Sequence, residues 1–268
     1  MGCAGRSSTA VGVSSRYRSV FPVPFGVVEA LTTLADVSNP PEPTTGAASR
    51  AWMSWSSGKD STFALAAARC DPEVEVVGLL VTMNAAADRV AMHAVRRTLL
   101  LAQGERLGLP AHLVELPYPC TDEQYEELMA GAVSTAIDDG VEEIVFGDLF
   151  LADIRAYREE KLSGTGLRAR FPLWNRPTDQ LARDMLDAGV KAVITCVDPA
   201  QAPAEMAGRT WDADLLAELP DGVDPCGENG EFHTFVWDGP GFSSPIAIET
   251  GPVVERDGFT FCDVRPVG

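Results

Sequence analysis

Ser56-Ser57-Gly58-Lys59-Asp60-Ser61 stands between a short apolar run, residues 51–55, and an alanine-rich run, residues 62–69. The first run predicts a buried strand and the second a helix, so the hexapeptide forms the turn that joins them. Small residues let backbone N–H groups approach phosphate oxygens, and the helix N-terminus adds a partial positive charge. The stretch therefore predicts an anion-binding turn on an α/β fold.

The side chains of this turn fit a nucleotide polyphosphate. Lys59 supplies a full positive charge, but Asp60 follows it where a kinase-type P-loop has Ser or Thr, and the upstream glycine of that loop is missing. A carboxylate beside a phosphate is useful if it holds Mg²⁺, so Asp60 is the predicted metal ligand. The alternative is a plain Ser/Gly turn with a capping Asp. The predicted ATP-binding residues here are Ser56, Ser57, Gly58, Lys59, Asp60 and Ser61.

The rest of the chain alternates strands with helices. Buried strands are predicted at residues 51–55, 74–82, 111–116, 143–147 and 191–197. This alternation predicts a doubly wound, five-stranded parallel sheet with helices on both faces. Ligands of such sheets bind beyond the carboxyl ends of the strands, so the loops after Trp55, Thr82, Gly147 and Val197 are expected to line one rim.

The chain divides into three predicted parts. Residues 1–48 are rich in Ser, Thr and Pro and are predicted to be a disordered extension without a role in the chemistry. Residues 49–200 form the predicted nucleotide-binding domain. Short strands between Gly and Pro turns predict a small β-rich substrate-binding lobe at 201–268, closing over the rim.

Composition limits the classes of partner. The formal net charge is −18, which disfavours nucleic acid because a field of that sign repels phosphate backbones. No run of eighteen apolar residues is present, so a membrane-spanning helix is not expected. The six cysteines form no CxxC pair, which is typical of reduced thiols in a cytoplasmic protein.

Two further regions join the hexapeptide in a resemblance to a known family. The hexapeptide resembles the SGGKDS signature of the PP-loop ATP-pyrophosphatases. Residues 228–235, Glu-Asn-Gly-Glu-Phe-His-Thr-Phe, and the Gly-Asp-Leu-Phe stretch at 147–150 resemble the diphthine–ammonia ligase group within that superfamily. Ser57 stands where the family usually has glycine, and its side chain is expected to fit if the residue keeps a negative φ.

The resemblance implies a HUP-type nucleotide-binding domain followed by a substrate lobe. It also implies that ATP is cleaved to AMP and pyrophosphate while a substrate carboxylate is adenylated, and that ammonia then attacks to give an amide. The implied cofactors are ATP and Mg²⁺, and the acceptor is a small-molecule or protein-side-chain carboxylate. The catalytic residues that follow are Lys59, Asp60, Glu228, Glu231 and His233.

Residue types alone leave open the roles of the two glutamates and the histidine in the stretch 228–235. Glu228 and Glu231 flank a glycine in a polar loop, where they could orient ammonia, hold Mg²⁺ or be ordinary surface charges. His233 could move protons near neutral pH or be structural.

Other candidates follow the predicted strands. Thr82 and Asn84 are expected to border the adenine pocket, and Asp148 to point into the crevice. His93 is placed on a helix predicted from Asp88 to Leu107, facing the phosphates.

Two arginines lie at helical spacing beyond the fourth strand. Arg155 and Arg158 follow Asp153, a predicted N-cap, and are candidates for binding the α-phosphate or the acceptor carboxylate. The alternative is a helix face on which they pair with Glu159 and Glu160.

Competing functions remain at this point. A PP-loop enzyme could instead modify tRNA, and a non-catalytic adenine-nucleotide sensor could use the same fold. The absence of CxxC pairs and the acidic balance weigh against the first, and the Lys59-Asp60 pair against the second. The sequence also leaves open whether the chain forms a homodimer.

Overall fold

The first sheet carries the predicted phosphate-binding turn. In the computed structural model, which describes residues 47–267, five parallel strands lie in the order β4–β2–β1–β5–β6. A short β3 pairs antiparallel with the end of β2. The bounds are β1 Ser49–Ser54, β2 Val74–Asn84, β3 Arg89–Val90, β4 Ala111–Leu116, β5 Glu143–Val145 and β6 Arg168–Arg170. The predicted extension 1–48 lies almost entirely outside the described residues.

Helices cover both faces of this sheet, as predicted. The two apolar cores lie on opposite faces of β1 and β2, one containing Met53 and Leu79 and the other Trp52 and Leu80. This alternation follows from the period of two along a strand. The helices are α1 Lys59–Cys70, α2 Arg97–Leu107, α3 Asp122–Asp138, α4 Ala152–Leu162, α5 Thr178–Asp187 and α6 Ala213–Glu218.

The helix predicted from Asp88 begins only at Arg97. Asp88, Met92 and Ala94 have left-handed backbones, with φ of 53°, 63° and 54°, and a helix cannot run through them. Asp153 lies in the first turn of α4, and its predicted N-cap position is taken by Leu151. The capping box of α3, between Thr121 and Gln124, is confirmed.

A second, antiparallel sheet follows the first. Its central strand is β7, Lys191–Val197, which pairs with β9 on one side and with β8 and β11 on the other; β10 pairs with β11. The remaining bounds are β8 Thr210–Trp211, β9 Phe232–Asp238, β10 Ile248–Arg256 and β11 Phe259–Pro266.

The assignment of residues 191–197 to the parallel sheet was wrong. The fifth parallel strand is Arg168–Arg170, which is too short and too charged to show a strand pattern. A fully buried run has the same appearance in either sheet, so its pattern could not identify its neighbours. The loop after Val197 consequently does not line the cavity but packs behind it, where the Asp198 N–H donates to the Glu231 carbonyl at 2.9 Å. The domain boundary at residue 200 stays a prediction.

Strand β9 joins the two sheets at the predicted phosphate-binding turn. The Val236 N–H donates to the carbonyl of Ser57 at 3.0 Å. Buried Gln103, on α2, donates to the carbonyls of both Ser57 and Val236, at 3.1 and 2.7 Å, and accepts from the Trp55 indole at 2.9 Å. Among residues 47–267, no helix has the length and apolar character needed to span a membrane.

Candidate active site

The turn between β1 and α1 is held by its own hydroxyls. Gly58 is the N-cap of α1, and its carbonyl accepts from the hydroxyls of Ser61 and Thr62, each at 2.9 Å. The Ser56 hydroxyl lies 3.2 Å from that of Ser61. A Cβ on Gly58 would come within 2.8 Å of the His93 ring, which explains the glycine at this position.

Ser57 departs from expectation. Its φ is 72°, in the left-handed region, whereas the sequence analysis required a negative value for serine to fit. The backbone is fixed there because its carbonyl accepts from Gln103 and from Val236. The side chain is fully buried, and its hydroxyl has no hydrogen-bond partner among the described residues. Serine therefore occupies a position that suits glycine.

Lys59 is a buried cation. Its Nζ donates to both carboxylate oxygens of Asp60, at 3.0 and 2.8 Å, and to the carbonyl of Cys226. The ammonium also lies 5.7 Å from the ring centre of Trp211 and 5.6 Å from that of Phe232. Burial lowers the pKa of Lys59, but the opposing effects, led by the charge of Asp60, raise it above its usual value. The side chain is thus held in its charged form.

Asp60 fits the predicted role of a magnesium ligand in one respect. Burial raises the pKa of its carboxyl above the usual value, although the adjacent Lys59 charge acts in the opposite direction. A carboxylate in that state would be stabilised by a further cation. No cluster of three or more His, Cys, Asp or Glu residues suited to a metal occurs within residues 47–267. Mg²⁺ commonly takes one or two carboxylates and completes its shell with water and substrate phosphates, so Asp60 suffices only if phosphates are present.

These residues open into a cavity of about 430 Å³ between the two sheets. Its apolar end is formed by side chains such as Met129 and Phe146. Most of the predicted site residues line it: Ser56, Lys59, Asp60, Ser61, Thr82, Asn84, His93, Asp148, Arg158, Glu228 and His233. Four do not: Ser57, Gly58, Arg155 and Glu231. Both groups of sequence-based site predictions stay predictions as regards their function.

Glu228 is a cavity carboxyl with a strongly raised pKa. Its Oε1 accepts from the Leu149 N–H at 2.7 Å. Burial raises the pKa of Glu228 to about 8, with further contributions from the charges of Asp60 and Asp148. A carboxyl that exchanges its proton near neutral pH is suited to general acid–base chemistry.

Glu231 is placed differently from Glu228. It is buried beneath the loop and accepts from the backbone N–H groups of Asp224 and Asn229, at 3.0 and 2.9 Å, and from the Asn229 side chain at 3.0 Å. With these bonds it shapes the loop that presents Glu228. Asp224 also shapes this loop, because its carboxylate accepts from the Cys226 N–H at 2.8 Å and from the Thr178 hydroxyl at 2.6 Å.

The two predicted histidines meet above the turn. The rings of His93 and His233 lie 4.7 Å apart, and the Nδ1 of His93 is 2.9 Å from the carbonyl of Thr234. Because a carbonyl only accepts, Nδ1 carries the proton of a neutral His93. Burial lowers the pKa of His93 to about 4 and that of His233 well below its usual value. Both rings are therefore neutral near pH 7.

The two predicted arginines separate. Arg158 pairs with Asp148 at 2.9 Å and its guanidinium lies 4.4 Å from the ring centre of Phe146, at the cavity wall. Arg155 pairs with Glu159 at 2.7 Å and lies over the rings of Phe171 and Trp174, outside the cavity. For Arg155 the structure thus favours the alternative of a paired helix face.

Several residues that build the site were not identified from the sequence. Gln103, Thr234, Trp211 and Cys226 all fix the turn or Lys59 through contacts between distant parts of the chain. Two of them left a signal: Thr234 lies within the quoted stretch 228–235, and Gln103 is a polar residue on the otherwise apolar face of α2.

A parallel α/β sheet, a Lys-Asp pair opening the first helix and a distal loop over the same cavity are the features of the PP-loop class of nucleotide-binding proteins. Comparison with known families agrees. Residues 49–169 match the diphthamide synthase N-terminal domain, and residues 177–265 match the diphthamide synthase C-terminal domain. The chain belongs to the diphthamide synthase family.

Three similar proteins are each named diphthine–ammonia ligase. A diphthine–ammonia ligase of Homo sapiens is 30% identical over 151 residues, which is 54% of this chain and 56% of that protein. The enzyme of the same name from Rattus norvegicus is 26% identical over the same shares. One from Schizosaccharomyces pombe is 25% identical over 171 residues, 60% of this chain and 28% of that protein. The similarity therefore spans about half or less of each relative's length.

Proposed function

We propose that the protein is an ATP-dependent amide ligase. It adenylates a substrate carboxylate, releasing pyrophosphate, and ammonia then displaces AMP to form the amide. The acceptor proposed first is diphthine, by analogy with the named relatives. The observation that carries the proposal is the position of Glu228 in the same cavity as Lys59 and Asp60.

The residues of the turn at 56–61 act in the first half-reaction, which is adenylation of the substrate carboxylate. The Lys59 ammonium, kept charged by Asp60, neutralises phosphate oxygens of ATP and of the departing pyrophosphate. Asp60 would hold Mg²⁺ against those oxygens, and the ion would add positive charge at the leaving group. Ser56 and Ser61 line the same cavity, where the Ser56 hydroxyl donates to that of Ser61 and the Ser61 hydroxyl donates to the Gly58 carbonyl, so that together they hold the turn in shape.

The second half-reaction needs a proton acceptor. Ammonia is protonated near pH 7, and its lone pair attacks the acyl carbon only after a proton has left. Glu228, whose carboxyl has a pKa of about 8, can take that proton when ionised. The N–C bond forms, the C–O bond to AMP breaks, AMP leaves with the electron pair, and the attacking nitrogen releases its second proton to solvent. Neutral His93 and His233 add no charge beside Lys59.

The test follows phosphorus products by NMR. The full chain is incubated with ATP, Mg²⁺, ammonium and a translation factor that carries diphthine, with a desalted cell extract as a source of other acceptors. AMP and pyrophosphate are expected in amounts that match the amide formed. Lys59→Ala and Asp60→Asn should abolish turnover, whereas Lys191→Ala, which removes an exposed lysine paired with Asp238, should not. ADP and phosphate as products, or bound ATP that stays intact with every acceptor, would contradict the proposal.

A further inference from the structure

A second groove adjoins the main cavity. It has a volume of about 260 Å³ and lies between the segment 84–94 and the β10–β11 hairpin. Asn84, Val90, Met92 and Tyr118 line both spaces. The two spaces are therefore adjacent and are separated by no more than this shared lining.

The groove has apolar walls and a cation at its edge. Met92 and Phe261 form part of the walls. The Arg256 guanidinium lies 5.2 Å from the ring centre of Phe261, and the side chain is 58% exposed. The nearest carboxylate, that of Asp257, is 3.9 Å away, at the limit of an ion pair. Such a surface suits an apolar group next to an anionic one.

The lining of the groove holds two arginines, Arg89 and Arg256, and one carboxylate, that of Asp257. Three arginines, Arg89, Arg96 and Arg265, pair with the single carboxylate of Asp263 at 2.8 to 2.9 Å. In a chain of net charge −18 the groove lining thus has a small local excess of positive charge. It would attract an anionic group to this edge of the molecule.

The backbone around the groove is strained. Asp88, Met92, Ala94 and Asp257 have φ between 53° and 63°, and they are four of the six non-glycine residues with positive φ among residues 47–267. Met92 and Ala94 each cost about 1 kcal/mol or more in this conformation and persist only where neighbouring contacts hold them, whereas aspartate adopts it readily and Asp257 does so with Gly258 in the two-residue turn of the β10–β11 hairpin. Strain of this kind concentrates at binding and catalytic sites. The groove thus has the backbone of a built site.

We propose that this groove docks an acidic polypeptide segment of the protein that carries the acceptor carboxylate. The segment lays apolar side chains against Met92 and Phe261, pairs an acidic side chain with Arg256, and delivers the acceptor into the main cavity. A nucleic acid fits less well, because it brings a phosphate at every step against an acidic protein, whereas a peptide brings one or two charges. This inference rests on the proposed function for its catalytic readout.

Steady-state kinetics on the full chain test the groove, with the diphthine-bearing translation factor as the varied substrate. Arg256→Glu is expected to raise KM for the factor at least about tenfold, since an attraction becomes a repulsion. KM for ATP and kcat at saturating factor should change less than about twofold. Arg183→Glu, which reverses an exposed charge on α5, is the matched control. An unchanged KM, or an equal loss with the control, would overturn the docking site.

A binding arm separates this inference from the proposed function. If the wild-type chain does not turn over the factor, the proposed function fails and the groove is tested alone. Fluorescence anisotropy then compares a labelled peptide of alternating Glu and Leu with an oligouridine of equal charge. Peptide binding that Arg256→Glu removes and Arg183→Glu keeps supports the groove. Tighter binding of the oligouridine than of the peptide, or no binding of either ligand, overturns it.

Discussion

The backbone N–H of Lys59 donates to the hydroxyl of Thr234 at 3.1 Å, across 175 positions of sequence. The bond ties the start of α1 to β9, so the predicted phosphate-binding turn is held by the second sheet as well as the first. The same threonine accepts at its carbonyl from the His93 ring. One residue of β9 therefore fixes both the turn and the histidine above it.

Replacing Thr234 by valine should destabilise the protein. Valine keeps the shape but leaves the buried Lys59 N–H without its partner, which costs about 1–3 kcal/mol of unfolding free energy. Thr234→Ser retains the hydroxyl and should lose well under half of that. Urea unfolding of both variants measures the difference. Equal stability of the valine and serine variants would show that the bond does not contribute.

Replacing Ser57 by glycine should stabilise the protein by about 1 kcal/mol. The change removes the strain of a left-handed serine, worth about 1–2 kcal/mol, and a buried hydroxyl without a partner, against the extra entropy of glycine in the unfolded chain. Ser57→Ala removes only the hydroxyl and should gain less. Urea midpoints rank the three proteins, and a glycine variant less stable than wild type would refute the argument.

The local elements could be predicted from the sequence because local rules determine them. The turn at 56–61, the capping box at Thr121 and most strands follow from residue pattern alone. Ser57 and residues 85–96 did not follow, since tertiary contacts hold them in conformations that their side chains disfavour. Nothing local to Ser57 shows that Gln103 and Val236 will fix its carbonyl.

The site was predictable to the extent that its motifs are continuous. Lys59, Asp60 and Glu228 were identified from two short stretches, and the fold brings them to one cavity. Glu231 looked equivalent to Glu228, yet burial and three hydrogen bonds give it a structural place. The partners of β7 and the groove beside Phe261 depend on how the sheets meet, which residue patterns do not encode.

Glu228 should make stability fall as pH rises through neutrality. Its folded pKa of about 8 exceeds the usual 4.5, so between these values the folded state holds a proton that the unfolded state has lost. The stabilising protonation is complete below about pH 4.5 and is lost by about pH 8.

The matched variant for this pH dependence is Glu228→Gln, which resembles the neutral acid at every pH. Between pH 5 and pH 9 the unfolding free energy of the variant should rise by about 2 kcal/mol relative to that of wild type. This is less than the figure of about 1.4 kcal/mol per pKa unit would give, because water entering the cavity relieves part of the burial. Urea unfolding at the two pH values provides the measurement. A difference that does not vary with pH would exclude Glu228 as the titrating group.

Glu228→Gln should also separate the two half-reactions. Amide formation from ammonium should drop at least about hundredfold, since a general base contributes about that much. Hydroxylamine is largely uncharged at neutral pH and should still give the hydroxamate at a rate within about fivefold of wild type. Product mass spectrometry distinguishes amide from hydroxamate. Equal losses with both nucleophiles would assign Glu228 to adenylation or to loop structure instead.

Asp263→Asn tests the link between the two sheets at the groove. The Asp263 carboxylate pairs with Arg89 on β3, with Arg96 just before α2, and with Arg265 on its own strand β11. The hydrogen bond from Arg96, with those from Arg265 and Arg89, lowers the pKa of Asp263 far below its usual value despite burial. The stability that it contributes is therefore complete above about pH 4 and is lost as pH falls below that value.

At about pH 7 the asparagine variant should lose about 2 kcal/mol of unfolding free energy, because Arg89 keeps a partly buried charge without its partner. At about pH 2 the Asp263 carboxyl is protonated in the unfolded state, so the difference between the two proteins should shrink. Asp257→Asn, at the exposed hairpin turn, is the control and should change stability by less than about 0.5 kcal/mol. Urea unfolding at the two pH values decides the matter, and a loss in Asp263→Asn that is equally large at both would mean that packing, not charge, joins the sheets here.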